Sequence, residues 1–358
     1  MTDQTTNDLQ REAGTSGDTS APKLAAGQRP TLKTIAFMTG LGITTVSKAL
    51  KDAPDIGEAT KKRVRLVADQ IGYRPNRAGV RLRTGKTNVI SLILNTEEEI
   101  LGLTSQMIQG ISEVLASTPY HLVVTPYTHA SDPMSPVRYV VETGSADGVI
   151  LSRTEPEDLR IRYLHDKKLP FATHGRTDMG IAHAFHDYDN AAFARDAVEI
   201  LAKLGRKRLT LVGPPRNLTY SRHMSEGFLE GIAKYDLQQV PMPPVTIDDD
   251  IHKLGDAVHQ LMTSDQAPDG IICGSGSAGI AAAFGTEKAG VTLGKEVDIV
   301  SKQSSFDMLK WFRPGLNVID EDFREAGRDL ARKVLARIEG TPAEDLQTLA
   351  YAPPPKQD

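Results

Sequence analysis

Short apolar runs typical of strands alternate with helical stretches from Val89 to Val300, and this alternation constrains the fold more than any other feature. The runs are rich in Val, Ile and Leu, as in VISLIL at 89–94 and GIIC at 270–273. A strand that is apolar along its length is buried on both faces, and long connections between such strands hold helices. The pattern therefore predicts an α/β body of parallel sheets covered by helices.

The alternation contains about ten strand and helix units, enough for two doubly wound sheets. The predicted strands are 89–94, 121–127, 148–151, 171–175, 208–213, 244–247, 270–273 and 298–300. A short internal similarity, ADGVIL at 146–151 and PDGIIC at 268–273, occupies the same place in each half and supports two similar lobes. Ligands of open parallel sheets bind at the carboxyl ends of strands, so a cleft between two lobes is the expected site for a small molecule.

Charge is distributed unevenly along the chain. Residues 30–86 carry 12 Lys and Arg against 4 Asp and Glu, a net charge of +8, whereas residues 87–358 carry a net charge of −11. A basic module beside an acidic body is typical of a protein that binds the nucleic-acid backbone through one end only. On charge alone, a solvated basic surface without a partner is the alternative.

Within the basic module, residues 32–50 have the pattern of two short helices joined by a tight turn. Ala36 is small where the helices would approach, Gly40 can supply a positive φ in the turn, and Val46 can fill the space beneath the second helix. Apolar residues from Val64 to Ile71 predict a third helix. The segment predicts a helix-turn-helix, with an ordinary pair of helices as the alternative.

Several other classes of protein are disfavoured. The first 29 residues are polar and too poor in apolar residues to bury, so they predict a disordered tail without a secretory leader. Cys273 is the one cysteine, which excludes an internal disulfide. No run of about 18 apolar residues occurs, so no membrane span is predicted. We expect a cytoplasmic protein.

Three segments of the module resemble the LacI/GalR family of bacterial transcriptional repressors. They are TLKTIAFMTGLGITTVSKALK, EATKKRV and IGYRPNRAGVRL. The body resembles the same family at FHDYDN (185–190), GF (227–228), PDGII (268–272) and EDF (321–323). The resemblance covers residues 30–340 and is most specific in its first 60 residues.

The resemblance implies an all-α helix-turn-helix head and a two-lobed body like that of periplasmic binding proteins. The implied domains are a tail over 1–29, a head over 30–75, a hinge over 76–87, the body over 88–340 and a tail over 341–358. It also implies a homodimer that reads a pseudo-palindromic operator as a repressor of a sugar uptake or catabolism operon. The body would bind a small sugar-type effector.

Carried over by position, the family's DNA contacts fall in the module. Ile43, Thr44 and Lys48 would face base edges, while Thr31, Thr45, Ser47 and Asn76 would lie nearer the backbone. Leu82 would be the wedge that a hinge helix inserts into the minor groove. Gly79 in that hinge and Gly57 before the third helix depart from the family pattern. Glycine inside a helix, as at Gly79, weakens that helix by about 1 kcal/mol relative to alanine.

The family's effector contacts carry over less completely. The implied contacts are Ser152, Arg176, Phe185, Ser275, Glu321 and Phe323. Gln303 stands where the family has an aspartate, and Met224 stands at the position of an arginine, with Arg222 two residues earlier. Because a charged anchor is replaced by neutral Gln303, we expect a neutral effector, with an α-linked di- or oligosaccharide favoured.

Three other chemistries have partial signals in the sequence. GSGSAG at 274–279 has the spacing of a dinucleotide fingerprint, but no acidic residue ends the next strand. Cys273 ends an apolar strand and is expected to be a small buried hydrophobe rather than a nucleophile. His174, His183 and His186 lack the further ligands of a recognised metal spacing. We expect no cofactor, no metal and no enzymatic activity; a sugar-binding sensor without a DNA role is the alternative function.

Overall fold

The computed structural model describes residues 29–74, 81, 85–95, 103–128, 131–303 and 316–351. The chain divides into two compact units, residues 1–85 and 86–358. The sequence predictions for Asn76, Gly79 and Leu82 lie outside the described residues, as does nearly all of the predicted tail over 1–29.

The first unit contains, in its described residues, the predicted three helices. They are α1 (Leu32–Thr39), α2 (Ile43–Leu50) and α3 (Glu58–Gln70). Their apolar faces form one small core of Ile35, Ala36, Val46, Ala49, Val64 and Ala68. Ala36 and Val46 are both buried, so the predicted steric roles of these residues in the helix-turn-helix are confirmed.

Local sequence signals determine where α1 begins and ends. The Thr34 amide donates to the Thr31 hydroxyl at 3.4 Å, and the Thr31 amide donates to the Thr34 hydroxyl at 3.1 Å. This reciprocal cap satisfies two amides that the first turn leaves without partners. Gly40 ends the helix with φ +65°, a left-handed conformation that favours glycine. Gly57 precedes α3 without a side-chain cap, because glycine has no side-chain oxygen.

The second unit is built on parallel strands, and every described strand pair is parallel. The strands are β1 (Val89–Asn95), β2 (His121–Tyr127), β3 (Gly148–Leu151), β4 (Phe171–His174), β5 (Ala184–Tyr188), β6 (Arg208–Val212), β7 (Gln238–Gln239), β8 (Gly270–Cys273), β9 (Asp298–Gln303), β10 (Leu316–Asp320) and β11 (Gln347–Ala350). The first sheet has the order β11-β5-β4-β3-β1-β2 and the second β10-β9-β8-β6-β7.

Helices cover both faces of each sheet, which confirms the predicted α/β class. They are α4 (Leu103–Leu115), α5 (Met134–Thr143), α6 (Leu159–Asp166), α7 (Asn190–Lys203), α8 (Thr219–Lys234), α9 (Ile251–Met262), α10 (Gly276–Lys288) and α11 (Phe323–Glu339). Leu92 packs with α4 and α11, whereas its neighbour Ile93 packs with α5 and α6. In the second sheet, Ile271 packs with α9 and α10 and Ile272 with α7 and α8. Central strands such as β1, β3 and β8 are therefore buried on both faces, whereas the edge strand β2 is partly exposed.

The two sheets with their helices form two lobes. The first lobe holds the first sheet with α4, α5, α6 and α11, and the second lobe holds the second sheet with α7 to α10. The chain passes into the second lobe at 188–190, returns at 320–323, and leaves again after β11. Tyr351 then packs on the core of the second lobe, and its hydroxyl donates to Asp196 at 2.5 Å. The strand ends of both lobes therefore meet near these crossings.

The structure corrects the sequence prediction at two places. Residues 244–247 form a loop instead of a strand, because prolines at 241, 243 and 244 cannot donate to a sheet ladder. Residues 347–350, assigned to a tail, form β11 and pair in parallel with β5. The predicted end of the body at residue 340 is thus too early, and the sequence pattern also does not predict β5, β7 and β10.

Three helix pairs approach so closely that only glycine fits between them: α4 with α11, α7 with α8, and α9 with α10, where a Cβ on Gly285 would lie 2.4 Å from the Gly255 carbonyl oxygen. A Cβ on Gly110 of α4 would lie 2.0 Å from the carbonyl oxygen of Arg324, and one on Gly327 of α11 would lie 2.3 Å from that of Met107. In the second lobe, a Cβ on Gly227 would lie 2.2 Å from the Ala191 carbonyl oxygen. The tight crossings hold α11 on the first lobe and α8 on the second.

Among the described residues, none of the helices has both the length and the apolar character needed to cross a membrane.

Candidate functional site

The outer face of α2 carries the three side chains that were predicted to face base edges. Ile43 and Thr44 at the start of the helix are exposed, and so is Lys48, one turn after Thr44. Val46 and Ala49 on the opposite face are fully buried. Because residues four apart share a helix face, Thr44 and Lys48 point in the same direction. The exposed face therefore presents apolar, hydroxyl and ammonium groups from the amino-terminal part of the helix, as a recognition helix does.

Acidic neighbours pair with several basic side chains around α2. Lys48 Nζ lies 2.5 Å from Asp55 Oδ2. Asp52 Oδ1 lies 3.1 Å from Lys61 Nζ and 2.7 Å from an Arg65 nitrogen. Both aspartates are exposed, so the pairs contribute little to stability and can be replaced by contacts to phosphates.

In the body, five charged or titratable side chains meet near the chain crossings, and we name them the crossover cluster. They are His174, Arg176, Asp187, Lys302 and Glu321. His174 ends β4, Asp187 is the penultimate residue of β5, Lys302 that of β9, and Glu321 follows β10. Because all these strands are parallel within their sheets, their carboxyl ends bring residues of both lobes together.

Ion pairs link the members of the crossover cluster. Lys302 Nζ lies 2.9 Å from Glu321 Oε2 and donates to Asn190 Oδ1 at 2.6 Å. Glu321 Oε1 lies 3.6 Å from His174 Nε2, and an Arg176 nitrogen lies 3.2 Å from Asp187 Oδ2. The cations and carboxylates compensate one another, so the cluster carries no large net charge.

Lys302 is held in a closed environment at the centre of this network. Its ammonium lies 4.4 Å from the centre of the Tyr188 ring and 5.4 Å from that of Phe193. The side chain is 9% exposed, and a buried ammonium needs both a counter-ion and hydrogen-bond acceptors. Glu321, Asn190 and the face of the Tyr188 ring meet these needs, which orients the lysine.

Burial sets the protonation of two cluster members. Desolvation lowers the pKa of His174 to about 4, against the opposing effect of Glu321. Desolvation raises the pKa of Asp187 to about 6, although Arg176 acts to lower it. At pH 7.5, therefore, His174 is neutral and Asp187 is ionised in a largely dry environment.

Eleven buried side-chain N and O atoms of the described residues lack a hydrogen-bond partner; five of them lie on elements that face each other across the lobes, and six lie elsewhere in the body. The five are His174 Nε2, Thr177 Oγ1, Asp187 Oδ2, Thr219 Oγ1 and His223 Nδ1. The first three belong to the ends of β4 and β5 and the loop between them, and the last two to the first turns of α8. Buried polar groups in folded proteins are nearly always paired, so these five atoms, which face the cleft from both lobes, are candidates for contact with a polar ligand.

Three consecutive residues after β3 bind the second lobe directly. The guanidinium of Arg153 pairs with the carboxylate of Asp248. The Thr154 carbonyl accepts from the Thr219 amide at 2.9 Å, and Glu155 Oε1 accepts from Asn217 at 2.9 Å. We call residues 153–155 the bridge segment; it joins the lobes along one edge of the cleft.

A buried arginine holds the bridge segment in position. Arg160 donates to the carbonyl oxygens of Ser152 at 3.2 Å and Arg153 at 2.8 Å, and it lies 2.6 Å from Asp158 Oδ2. Asp158 in turn caps α6 by accepting from the Arg160 amide. Arg153 adopts φ +56°, an uncommon conformation for a residue with a side chain. The two hydrogen bonds from Arg160 stabilise this turn.

Comparison with known proteins identifies the family. A family model described as periplasmic binding proteins and sugar binding domain of the LacI family matches residues 87–352, and one described as bacterial regulatory proteins, lacI family, matches residues 31–76. The chain belongs to the LacI family.

Relatives of this LacI-family protein are named as transcriptional regulators. It is 28% identical over 330 residues to the HTH-type transcriptional regulator AglR of Rhizobium meliloti, which covers 86% of this chain and 87% of AglR. It is 29% identical over 320 residues to RafR of Escherichia coli, which covers 88% and 94%. The predicted function as a DNA-binding transcriptional regulator is confirmed.

Solved structures confirm the LacI-family fold. The lac repressor dimer bound to operator and the anti-inducer ONPF matches with a TM-score of 0.79 at 17% identity, covering 90% of this chain and 96% of that chain. A complex of the transcriptional regulator CelR with cellobiose matches with a TM-score of 0.63 at 19% identity, covering 90% and 97%.

Several of the predicted DNA contacts of this LacI-family regulator lie on α2. Ile43, Thr44 and Lys48 share the exposed side of α2, while Thr45 and Ser47 are half-buried beside them. Thr31 caps α1. Asn76 and Leu82 lie outside the described residues, and the base and backbone roles of all these residues stay predictions.

The predicted effector residues separate into three groups. Arg176 and Glu321 belong to the crossover cluster, and the Phe323 ring lies 5.2 Å from that of His174. Ser152 precedes the bridge segment, and Gln303 ends β9 beside Asp320. The side chains of Ser275, Arg222 and Phe185 contact residues outside the crossover cluster.

Ser275 caps α10, because its hydroxyl accepts from the Ala278 amide at 3.2 Å. Arg222 is half exposed and binds Asp178 at 2.6 Å, so it bridges the lobes at the rim. Phe185 lies within β5, and the centre of its ring is 5.6 Å from that of His183, with the two rings tilted against each other. The crossing begins three residues later, at Tyr188.

Sequence reasoning did not assign His174, Asp187 and Lys302 to the effector site. The sequence offers His174 only as a possible metal ligand together with His183 and His186. Among the described residues, no three or more His, Cys, Asp or Glu side chains are grouped so that they could hold a metal ion. His186 pairs with Asp329 at 2.7 Å, and His183 Nδ1 lies 2.9 Å from the Ile181 carbonyl. A signal was present, since each missed residue is polar and ends or nearly ends an apolar strand.

The glycine-rich segment after β8 has a packing role. A Cβ on Gly279 would lie 2.4 Å from Ser301 Oγ, so the glycine lets α10 approach β9. Cys273 is fully buried in the second lobe, and burial raises the pKa of its thiol. Cys273 is therefore the small core residue that the sequence predicts.

The bridge segment leads to a prediction about opening of the lobes. Asp248→Ala removes the partner that Arg153 has on the second lobe, so we expect the adjacent hydrogen bond from the Thr219 amide to open more often. The exchange rate of that amide should rise by about tenfold, which corresponds to about 1.4 kcal/mol. Native-state hydrogen exchange measures it, and Asp256→Ala, which breaks an exposed pair with Lys288 away from the cleft, is the control that should leave the Thr219 rate unchanged.

Proposed function

We propose that this regulator is a repressor of a sugar uptake or catabolism operon, and that a neutral sugar bound between the lobes controls its affinity for a pseudo-palindromic operator. We further propose that it acts as a homodimer in the cytoplasm. The bound cellobiose of the CelR complex supports a sugar as the effector class. The exposed polar face of α2 supports the reading of bases.

The observation that carries the effector proposal is the group of unpartnered polar atoms between the lobes. Hydroxyl groups both donate and accept hydrogen bonds, so a sugar can pair with the carboxylate oxygen of Asp187 and with the neutral rings of His174 and His223. Burial lowers the pKa of both histidines. Neutral imidazoles offer no positive charge to an anionic ligand. The cations of Arg176 and Lys302 already have carboxylate partners. Both features favour a neutral sugar over an anionic one.

Thermal unfolding with a panel of sugars tests the effector proposal. A ligand at 100 times its dissociation constant stabilises the folded state by about 2.7 kcal/mol, which raises Tm by several degrees. We expect a shift with at least one neutral sugar among maltose, trehalose, melibiose, raffinose and cellobiose. Glucose 6-phosphate should give none. A panel without any shift would contradict a sugar effector of this class.

The DNA proposal has a direct test in the salt dependence of binding. The full chain should be retained on DNA at low salt and released as salt rises, because Lys and Arg contacts displace counterions from phosphates. A sugar-binding sensor without a DNA role would not be retained. We also propose that the regulator acts by binding alone, which incubation with nucleotides and glycosides would contradict if turnover appeared.

Asp55→Asn should tighten DNA binding. Asp55 holds Lys48 in an intramolecular pair and places a negative charge beside the face that would meet DNA. The substitution removes both effects, so we expect a decrease in Kd of about threefold to tenfold at low salt. Fluorescence anisotropy measures it. Asp69→Asn, at the other end of α3, is the control, and an equal gain in both variants would show that only net charge matters.

The hinge assignments remain a proposal from the sequence. We propose that residues 76–87 link head and body, that Asn76 contacts the DNA backbone and that Leu82 inserts into the minor groove. Leu82→Ala should then lose affinity for the operator but not for random DNA, because a wedge requires a base step that can be unstacked. Equal losses on both DNAs would make Leu82 an ordinary linker residue.

A further inference from the structure

One carboxylate oxygen in the crossover cluster is buried and accepts no hydrogen bond from the described residues. It is Asp187 Oδ2. An Arg176 nitrogen lies 3.2 Å away, which is close enough for an ion pair but without hydrogen-bond geometry. The side chain is 5% exposed, so bulk water cannot supply the missing donor. The ion pair with Arg176 compensates only part of the cost of burying this carboxylate, and a hydrogen-bond donor would compensate more of it.

A second unpartnered atom lies in the same cluster. His174 Nε2 receives no hydrogen bond from the part of the chain that the structure describes, and Glu321 Oε1 is 3.6 Å from it. Its ring is fixed on two sides, stacked on His186 at 6.2 Å and tilted against Phe323 at 5.2 Å. The imidazole therefore cannot turn freely to find another partner.

The neighbouring residues hold these two atoms in place. Glu321 is bound to Lys302. Lys302 is in turn bound to Asn190 and lies against the Tyr188 ring, so these contacts restrict the side chains of Lys302 and Glu321. The side chains of Asp187 and His174 come from adjacent strands, β5 and β4. The cluster is thus preorganised, and the atoms that it leaves unsatisfied suit the hydroxyl groups of a ligand.

We infer that Asp187 is a specificity-determining residue of the cleft, whose Oδ2, ion-paired with Arg176 but accepting no hydrogen bond from the described residues, accepts a hydroxyl of the effector while His174 Nε2 binds a second hydroxyl. The inference rests on the proposed function and adds the residue that selects the effector. The two cations of the cluster, Arg176 and Lys302, already pair with Asp187 and Glu321, so the cluster offers an anionic group no free positive charge and favours a hydroxyl over a carboxylate or phosphate.

The inference requires effector affinity to depend on pH in a defined direction. The charged or titratable groups that face Asp187 are Arg176, Glu321, Lys302 and His186. Burial raises the pKa of Asp187 to about 6, and hydroxyl donors bind its ionised form. Affinity is therefore complete above pH 7 and is lost as the pH falls through 6. Between pH 7.5 and pH 5, Kd should rise by about tenfold.

The test is titration calorimetry on the full chain, with whichever of maltose, trehalose, melibiose, raffinose or cellobiose gives the largest thermal shift. Asp187→Asn should weaken binding at pH 7.5 by about 10-fold to 100-fold, because a hydrogen bond to a charged group is lost. It should also remove the dependence on pH between 5 and 7.5. A merely structural role for Asp187 would not give that second result.

Asp298→Asn is the matched control. Asp298 is also a buried carboxylate, but it lies at the amino end of β9, away from the cleft, and pairs with Arg206 at 2.6 Å. Affinity and pH dependence should stay as in the wild type. Folding of Asp187→Asn is checked by its Tm without sugar, which should be unchanged or higher at pH 7.5, because the substitution removes an ionised group whose raised pKa marks it as destabilising above pH 6.

The other possible results of the calorimetry separate the proposed function, the role of Asp187 and the selectivity for neutral sugars. If the wild-type chain binds none of the sugars, both the proposed function and the role of Asp187 are wrong. If it binds a sugar and Asp187→Asn binds equally well with the same pH dependence, the role of Asp187 is wrong and the proposed function stands. If glucose 6-phosphate binds the wild type more tightly than any neutral sugar, the selectivity is wrong. His174→Asn provides a second variant, for which we expect a loss of affinity at pH 7.5.

Discussion

A chain that lacks residues 1–86 should show no measurable binding to operator DNA, while its body still folds and responds to sugar. The deleted part includes the segment with a net charge of +8 and leaves a body with −11. Specific binding is typically about 10³-fold to 10⁷-fold tighter than non-specific binding and depends on contacts to phosphates and bases, all of which are proposed in this segment. The expected loss therefore exceeds about 10³-fold, as measured by anisotropy at a fixed salt concentration.

The body should survive this deletion because its cores do not include the head. The clusters around Leu92, Ile93, Ile271 and Ile272 contain only residues of the second unit. A cooperative thermal transition and an unchanged sugar response are the controls. Operator binding by the truncated body would contradict the assignment of DNA reading to the head.

Gly110→Ala should destabilise the body by about 3 kcal/mol or more. Helix propensity alone predicts the opposite sign, since alanine stabilises a helix interior by about 1 kcal/mol relative to glycine. The added Cβ, however, would lie 2.0 Å from the Arg324 carbonyl oxygen of α11. Backbone atoms cannot rotate away as a side chain does, so α4 and α11 must separate and lose packing. Urea unfolding monitored by circular dichroism measures the change.

Gly213→Ala is the matched control for this prediction. The Cβ would meet its nearest atoms, in Leu211, at 3.8 and 3.9 Å, which is ordinary contact. We expect a change within about 1 kcal/mol. Stabilisation of Gly110→Ala would mean that α4 and α11 can separate at little cost and that the close crossing is not needed.

The sequence by itself determined the architecture of this LacI-family protein. The apolar strands alternate with helices, and a strand such as Ile90 to Leu94 is apolar at nearly every position because it is buried on both faces. In the head, Ala36, Gly40 and Val46 have local steric roles that are visible from residue type and spacing. Such features depend on short stretches of chain, so a sequence reveals them directly.

Only the tertiary structure decided which residues share the cleft. His174, Asp187, Lys302 and Glu321 are far apart in the chain, and the parallel pairing of strands brings them together at the crossings. Polar sequence near 347–350 gave no strand signal, because β11 is stabilised by pairing with β5 rather than by its own composition. Ser275 matched by position but caps a helix, and Arg222, two residues before the family's arginine position, pairs with Asp178. Hydrogen-bond partners are set by contacts between distant segments, and spacing along the chain does not contain that information.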